Sequence, residues 1–121
     1  MLSYITIETN DMEKALAFYD VLIEELGGTR AFEAPTGQFY GFGQGSLLGV
    51  FHPADGAVAT GGNGTMLAFK VESPERVKQI YAKALSLGAT DEGAPGPRGD
   101  RGFYASYFRD LDGNKICVYI M

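Results

Sequence analysis

Towards its C-terminal side the chain reads Phe108-Arg109-Asp110-Leu111-Asp112-Gly113-Asn114-Lys115-Ile116, an acidic, glycine-bearing turn between two apolar runs. This pattern predicts a β-hairpin, because branched and aromatic residues favour strands and Asp, Asn and Gly favour turns. An earlier turn reads Gly43-Gln44-Gly45-Ser46. The number of residues from Gly45 to Gly49 equals the number from Gly113 to Cys117. Two turns of the same spacing indicate an internal duplication.

The pattern of apolar residues predicts the same order of elements in each half of the chain. In the first half a strand over residues 2–9 precedes a helix that is capped by Asn10 or Asp11 and stopped by Gly27-Gly28. In the second half Ser73-Pro74 starts the helix and Gly88 ends it. The other predicted strands cover residues 29–34, 38–42, 47–51, 65–71, 89–92, 103–109 and 115–120. Residues 93–102 are too rich in Gly and Pro for a strand, so this segment is predicted to be a loop.

A shift of 62 residues superimposes the two halves, since it sets Tyr4 on Met66 and Asp11 on Ser73. We therefore predict an α+β fold, a single domain of two βαβββ modules, module one at about 1–56 and module two at about 63–121. Each module would form a curved mixed sheet with its helix on one face. The open faces are expected to enclose a cleft, which is a preferred place for a small ligand.

Composition and charge exclude several classes of function. The chain has 121 residues and a net charge of −5, and its ten basic residues are scattered, so nucleic acid is not an expected partner. No run approaches the roughly 20 apolar residues that cross a bilayer, and the first residues do not look like a signal peptide. We therefore expect a cytoplasmic protein without a membrane partner. A single cysteine excludes an internal disulfide.

These residues resemble the vicinal oxygen chelate superfamily, which includes glyoxalase I, bleomycin-resistance proteins and extradiol dioxygenases. The resemblance spans nearly the whole chain and rests on motifs that occur in order. They are Asn10-Asp11, Phe18-Tyr19, Leu26-Gly27, residues 63–69 and residues 91–98 with the terminal hairpin. It implies the glyoxalase/bleomycin-resistance fold and a homodimer.

The resemblance also implies four metal-ligand positions, normally held by His, Gln or Glu. Here those positions hold Tyr4, Gly49, Met66 and Cys117. A divalent ion of this kind requires oxygen or imidazole donors, whereas glycine offers no side chain and methionine offers a soft, neutral thioether. His52 is the only histidine, so no site with several histidines can replace them. We therefore expect no metal and no cofactor, with a divalent metal ion as the alternative.

Strand alternation predicts which side chains face the cleft. If Cys117 faces it, Tyr119 shares that face, and pairing of Arg109 with Lys115 would set Tyr107 opposite Cys117. Relatives place a substrate-contacting aromatic residue at the position of Tyr107. The predicted substrate-binding wall is aromatic and soft rather than ionic, and it comprises Tyr4, Phe51, Met66, Tyr107 and Cys117. Such a wall suits a planar or apolar guest, although these residues could also simply fill the space of a lost metal.

Further candidates for chemistry have both a functional and a structural interpretation. Arg98 and Arg101 could clamp a substrate carboxylate or phosphate from a mobile lid, or could be solvated charges of a surface loop. Glu8 and Tyr107 could act as catalytic proton-transfer groups, and Glu8 could instead form an ion pair with Lys70. A buried, unreactive thiol is expected at Cys117. Asp110, Asp112 and Asn114 are expected to shape their turn.

The sequence therefore favours a protein that binds a small organic molecule in the cleft without a metal. The alternative is a lyase, isomerase or dioxygenase of the glyoxalase type, similar to lactoylglutathione lyase, that uses a divalent metal or acid and base residues. A structural or partner-binding module is the third possibility. The sequence leaves open whether the protein is an enzyme.

Overall fold

The computed structural model describes all residues from Met1 to Met121. The order β-α-β-β-β occurs twice, as predicted. The first copy consists of β1 (Tyr4–Glu8), α1 (Met12–Glu25), β2 (Thr29–Ala34), β3 (Gly37–Gly41) and β4 (Leu47–Phe51). The second copy consists of β5 (Met66–Lys70), α2 (Pro74–Ser86), β6 (Thr90–Pro97), β7 (Tyr104–Arg109) and β8 (Lys115–Ile120).

Each copy forms its own four-stranded mixed sheet. The strand orders are β1-β4-β3-β2 and β5-β8-β7-β6, with the first pair of each sheet parallel and the other pairs antiparallel. The chain divides into two compact units, Met1–Gly61 and Gly62–Met121, with one sheet and one helix in each. The predicted α+β fold of two βαβββ modules is confirmed. No helix of the chain has the length and apolar character needed to cross a lipid bilayer.

Both helices begin and end at the predicted signals. The Asp11 carboxylate accepts a hydrogen bond from the backbone N–H of Lys14. The Ser73 hydroxyl accepts one from the backbone N–H of Arg76. These contacts satisfy N–H groups that have no partner inside the helix. Gly27 and Gly88, just beyond the two helices, have φ angles of 87° and 105°, which favour glycine and stop helical hydrogen bonding.

One face of each sheet is covered by the helix of the same unit, and the core lies between them. In the first unit Leu22, Tyr40 and Val50 are buried there, and in the second Ile80 and Phe108 are. Alternation along the strands sends the neighbouring residues to the opposite face. We call that opposite face the open face of each sheet.

The prediction of a loop from residue 93 onward was wrong, because β6 continues to Pro97. The strand lies at the edge of its sheet, where a proline without an N–H group can be tolerated. Its register with β7 shifts twice, between Asp91 and Gly93 and between Gly93 and Gly96. Such irregularities let a Gly- and Pro-rich segment stay extended. The connection to β7 is therefore shorter than predicted.

The terminal turn is organised by Asp110, as expected. Its Oδ1 atom accepts hydrogen bonds from the backbone N–H groups of Asp112 and Asn114, each at 2.9 Å. Its Oδ2 atom accepts one from the Asn114 side-chain amide, also at 2.9 Å. Asp110 and Asn114 are both buried, so this network fixes the turn that connects β7 to β8.

The hydroxyl of Ser106 is a buried polar group that forms no hydrogen bond. The residue is fully buried on the helix-covered face of β7, and its Oγ atom has no hydrogen-bond partner. We expect Ser106→Ala to raise the free energy of unfolding by about 1 kcal/mol, because it removes an unpaired buried hydroxyl. Urea denaturation measures this change. Ser86→Ala, which removes an exposed hydroxyl on α2, should change little, and destabilisation by Ser106→Ala would contradict the prediction.

Candidate functional site

The open face of the first sheet presents three rows of side chains. Strand register places one row on each of three adjacent strands: Tyr4, Thr6 and Glu8 on β1, Leu47, Gly49 and Phe51 on β4, and Gly37, Phe39 and Gly41 on β3. These positions alternate with buried residues that pack towards α1. Leu47 and Phe51 therefore flank Gly49, and Thr6 and Glu8 share a face with Tyr4.

Four aromatic rings meet on this face and form the aromatic cluster (Tyr4, Phe32, Phe39 and Phe51). The ring of Phe39 lies in the centre, with centroid distances of 5.3 Å to Tyr4, 5.1 Å to Phe51 and 4.7 Å to Phe32. The contacts with Tyr4 and Phe51 are edge-to-face, a favourable arrangement for aromatic quadrupoles. Phe39 is 9% exposed, whereas Tyr4 and Phe32 are 56% and 52% exposed. The cluster therefore has a buried centre and an accessible rim.

Two glycines make room for these rings. A Cβ atom on Gly49 would lie 2.6 Å from the Phe51 ring and 3.0 Å from the Phe39 ring. A Cβ atom on Gly37 would lie 2.5 Å from the Phe51 ring and 2.4 Å from the carbonyl oxygen of Val50. Aromatic side chains thus cover bare glycine backbone on the neighbouring strand. The layer of rings depends on the absence of side chains beneath it.

A cavity of about 310 Å³, which we call the Gly41 cavity, lies at the end of this face. Small-molecule sites commonly have volumes of roughly 300–1,000 Å³. Leu47, which lines the cavity, pairs in register with Tyr4 of the aromatic cluster. The cavity is lined by Thr29, Ala31, Gly41, Phe42, Gly43, Gln44, Gly45 and Leu47. The rim of the cluster and this cavity therefore adjoin on one unit.

Sequence reasoning found part of this site. Tyr4 and Phe51 were predicted as wall residues, and both contact the central ring of Phe39. Phe39 and Phe32 were missed. The alternation of glycine and phenylalanine along β3 and β4 could have revealed Phe39. Phe32 reaches this face through a register shift after Arg30, which the sequence does not signal.

The acid Glu8 and the histidine His52 are both exposed in this unit. Glu8 is exposed on β1, in register with Phe51. His52 is exposed after β4, and its backbone N–H donates a hydrogen bond of 3.0 Å to the carbonyl of Thr36. The His52 ring borders two further cavities rather than the Gly41 cavity.

The open face of the second sheet carries Tyr107 and Cys117 opposite each other, as predicted. The Cys117 side chain is 1% exposed. The Arg98 guanidinium carbon and the Lys115 Nζ atom lie 5.4 Å and 5.5 Å from the centroid of the Tyr107 ring, within range of cation–π attraction. Met66 is 43% exposed and pairs in register with Lys115. Tyr107 therefore lies close to two cations and beside the thiol of Cys117.

Arg98 and Arg101, the two arginines predicted as a clamp, differ from each other in their surroundings. Arg98 donates hydrogen bonds of 2.7 Å and 2.8 Å to the carbonyls of Ala94 and Gly96, so its guanidinium is largely used by its own strand. Its backbone N–H donates to the carbonyl of Phe103 and closes the β6–β7 connection. Arg101 is exposed within that connection. Arg98 thus has a structural task that the sequence did not reveal.

Burial raises the pKa of the Cys117 thiol, although the Tyr107 hydrogen bond and the charges of Arg98 and Lys115 act in the opposite direction. Burial also raises the pKa of the Tyr107 phenol, and the charge of Cys117 adds to that effect. Both groups are therefore neutral near pH 7. A neutral, covered thiol is a poor nucleophile.

We expect Cys117 to resist thiol reagents. At about pH 8.5, where free cysteine is half ionised, the raised pKa keeps most of Cys117 protonated. Its reaction with 5,5′-dithiobis(2-nitrobenzoate) should be at least about tenfold slower than that of free cysteine. Ala68 is exposed and pairs in register with Cys117, so Ala68→Cys in a Cys117→Ala background is the matched control and should react rapidly. Equal rates for the two proteins would contradict the prediction.

Comparison with known families identifies this architecture. A family model described as Glyoxalase/Bleomycin resistance protein/Dioxygenase superfamily matches residues 1–118. The chain belongs to this superfamily. The resemblance inferred from the sequence motifs is thereby confirmed. No curated protein matches the chain.

Solved structures of the superfamily share the fold over nearly the full chain. A glyoxalase/bleomycin resistance protein from Albidiferax ferrireducens is 35% identical, with a TM-score of 0.90, and the match covers 100% of this chain and 98% of that one. A glyoxalase-related enzyme from Fulvimarina pelagi is 22% identical, with a TM-score of 0.80 and coverages of 100% and 88%. A lactoylglutathione lyase from Agrobacterium tumefaciens is 19% identical, with a TM-score of 0.72 and coverages of 99% and 92%. The last two show a common fold alone.

The residues at the superfamily's metal-ligand positions do not fit a divalent ion. Gly49 offers no donor atom, and the Phe39 and Phe51 rings occupy the space that a side chain would need. Cys117 is buried with a raised pKa, which disfavours the thiolate that binds metals. Met66 offers only a thioether, and Tyr4 is engaged edge-on with Phe39. No group of three or more His, Cys, Asp or Glu side chains is arranged to hold a metal ion.

Proposed function

We propose that this member of the superfamily is a cytoplasmic, homodimeric protein that binds a small organic molecule with a planar, apolar body and does so without a metal. The aromatic cluster is the observation that carries the proposal. It presents half-exposed rings around a buried centre, next to the Gly41 cavity. Stacking and burial against such rings supply affinity without ionic contacts.

The Gly41 cavity supplies the polar side of the proposed site. Thr29 contributes a hydroxyl and Gln44 an amide to its lining, while Ala31 and Leu47 contribute apolar surface. A few polar groups in a mostly apolar cavity orient a ligand rather than react with it. The guest would therefore place its planar body on the cluster and a hydrogen-bonding group in the cavity.

The enzymatic alternative is a lyase, isomerase or dioxygenase of the glyoxalase type with a divalent metal. It would require donor atoms that the positions of Gly49 and Met66 do not offer. Glu8 and Tyr107 remain the candidate acid and base residues of that alternative. Elemental analysis of protein purified without chelator tests it, and stoichiometric metal together with formation of lactoylglutathione would favour the enzyme.

Binding is tested by titrating ¹⁵N-labelled protein with 2-naphthol and with metal-free bleomycin and recording ¹H–¹⁵N NMR spectra. We expect saturable shifts of Tyr4, Phe39, Gly41 and Leu47 with at least one of these probes. Ala31→Leu adds volume to the Gly41 cavity and should weaken binding at least about tenfold, or ~1.4 kcal/mol. Binding that leaves these residues unshifted, or no saturable binding of either probe, would overturn the proposal.

The dimer is tested separately by sedimentation of the purified chain. Exposed apolar side chains outside the aromatic cluster offer surface for self-association, among them Leu2 at 62% and Val58 at 77% exposure. We expect twice the chain mass of 13.0 kDa at micromolar concentration. A species of single mass over the whole concentration range would contradict the dimer.

A further inference from the structure

A second cavity of the first unit, of about 170 Å³, lies beside the first turns of α1. We call it the Gln38 cavity. It shares no lining residue with the Gly41 cavity. Met12 and Leu16 enter it from one side of α1, and Pro35 faces it from the turn between β2 and β3. A volume of about 150 Å³ is enough for one benzene ring, so this cavity has room for a guest of that size.

A buried amide lines this space, which is bordered by apolar side chains on one side and by polar ones on the other. Gln38 is only 5% exposed, and its Nε2 atom donates hydrogen bonds of 3.0 Å and 2.9 Å to the carbonyls of Phe32 and Phe39. Both hydrogens of the amide are therefore used. Its Oε1 atom accepts no hydrogen bond from the protein, and Gln38 is one of the residues that line the cavity. A buried acceptor without a partner costs free energy unless a ligand or water pairs with it.

The charges around the cavity favour a hydrogen-bond donor. The exposed Glu33 carboxylate lines it. Arg30 also lines it, but Arg30 donates hydrogen bonds of 2.8 Å and 2.9 Å to both oxygens of Asp20, so its charge is paired. His52 lies at the rim and can accept a hydrogen bond in its neutral form. The Gln38 and Glu33 oxygens therefore offer acceptors to a guest, and an anionic guest would face the Glu33 charge.

We propose that the Gln38 cavity is a second binding site, for a small molecule with a one-ring apolar body and a hydrogen-bond-donating head, either a hydroxyl or a primary amine. The body lies against Met12, Leu16 and Pro35, and the head donates to Gln38 Oε1. This site is independent of the one proposed on the aromatic cluster. It extends the chain's binding capacity to a guest of different size and polarity.

Three probes of similar shape test the proposal by NMR: phenol and benzylamine, which donate hydrogen bonds, and benzoate, which is an anionic acceptor. We expect phenol and benzylamine to shift the Gln38 side-chain amide and the Leu16 methyl groups in a saturable way. Benzoate should bind at least about tenfold more weakly. Equal affinity for the three probes, or the absence of saturable shifts at these residues, would overturn the proposal.

Variants separate this site from the one on the aromatic cluster. Ala34→Leu adds volume to the Gln38 cavity and should abolish the phenol shifts, whereas Ala31→Leu, three residues earlier on the same strand, should leave them unchanged. For 2-naphthol we expect the opposite, with binding weakened by Ala31→Leu and unchanged by Ala34→Leu. Leu16→Gln, at a half-buried position of α1 that lines the cavity, replaces Ala34→Leu if that variant does not fold. If the phenol-induced shifts persisted in a folded variant, the proposed site in the Gln38 cavity would be contradicted. The proposed site on the aromatic cluster would not be affected by that result.

Discussion

Phe39→Ala is expected to lower the free energy of unfolding by about 3–5 kcal/mol. The ring is 9% exposed and contacts Tyr4, Phe32 and Phe51, so truncation leaves a cavity at the centre of the aromatic cluster. The three remaining rings lose their common partner. Urea denaturation followed by far-UV circular dichroism measures the change, and an unchanged m-value would show that the folded and unfolded states keep their compactness.

Phe32→Ala is the matched control for this prediction. Phe32 belongs to the same cluster but is 52% exposed, so its removal should cost at most about 1.5 kcal/mol. It should nevertheless weaken 2-naphthol binding, because an exposed ring is the part that a ligand can stack on. Equal destabilisation by the two variants would contradict the assignment of Phe39 as the buried centre. If Phe32→Ala lowered the free energy of unfolding but left 2-naphthol binding unchanged, the proposal that ligands bind on this face would be contradicted.

Gly37→Ala should destabilise the protein by about 3 kcal/mol. The added Cβ atom would lie 2.4 Å from the carbonyl oxygen of Val50 and 2.5 Å from Cγ of Phe51. The ring could rotate away, but the carbonyl belongs to the adjacent strand and cannot move without disturbing the β3–β4 pairing. Thermal and urea denaturation measure the loss, and NMR would show displaced resonances for Phe51.

Gly64→Ala provides the control. A Cβ atom on Gly64 would meet no atom within 4 Å, and its φ angle is not in the left-handed region. Alanine at this position lowers the conformational entropy of the unfolded chain. We therefore expect the free energy of unfolding to stay unchanged or to rise by about 0.4–1 kcal/mol. If both variants behaved alike, the Val50 carbonyl and the Phe51 ring would not require glycine at position 37.

The sequence predicted the fold well because its signals are local. The caps at Asp11 and Ser73 and the stops at Gly27 and Gly88 each act within one helical turn. The pairing of Tyr107 with Cys117 followed from the length of one short turn. The strand over Gly93 to Pro97 was missed because composition argued against it, whereas a position at the sheet edge permits it.

The candidate site was predicted only in part. The family resemblance pointed to Tyr4 as one of four ligand positions, and strand alternation around Gly49 pointed to Phe51. The sequence did not identify Phe39 as the centre of the cluster, since that role depends on contacts among β1, β2, β3 and β4. It offered Arg98 either as a clamp for a ligand or as a solvated charge, and it did not reveal that the guanidinium donates to the carbonyls of Ala94 and Gly96.

The sequence by itself determined the duplicated βαβββ plan, the helix boundaries and the absence of ligand-type side chains at Gly49 and Met66. These features depend on residue identity and on spacing along one element. Only the tertiary structure decided that rings cover the glycines of β3 and β4, that Phe39 is the buried centre of the aromatic cluster and that Gln38 lines a cavity. Such properties arise where strands and helices that are distant in sequence pack together. The burial of a side chain depends on its neighbours in space, and a local sequence pattern does not reveal them.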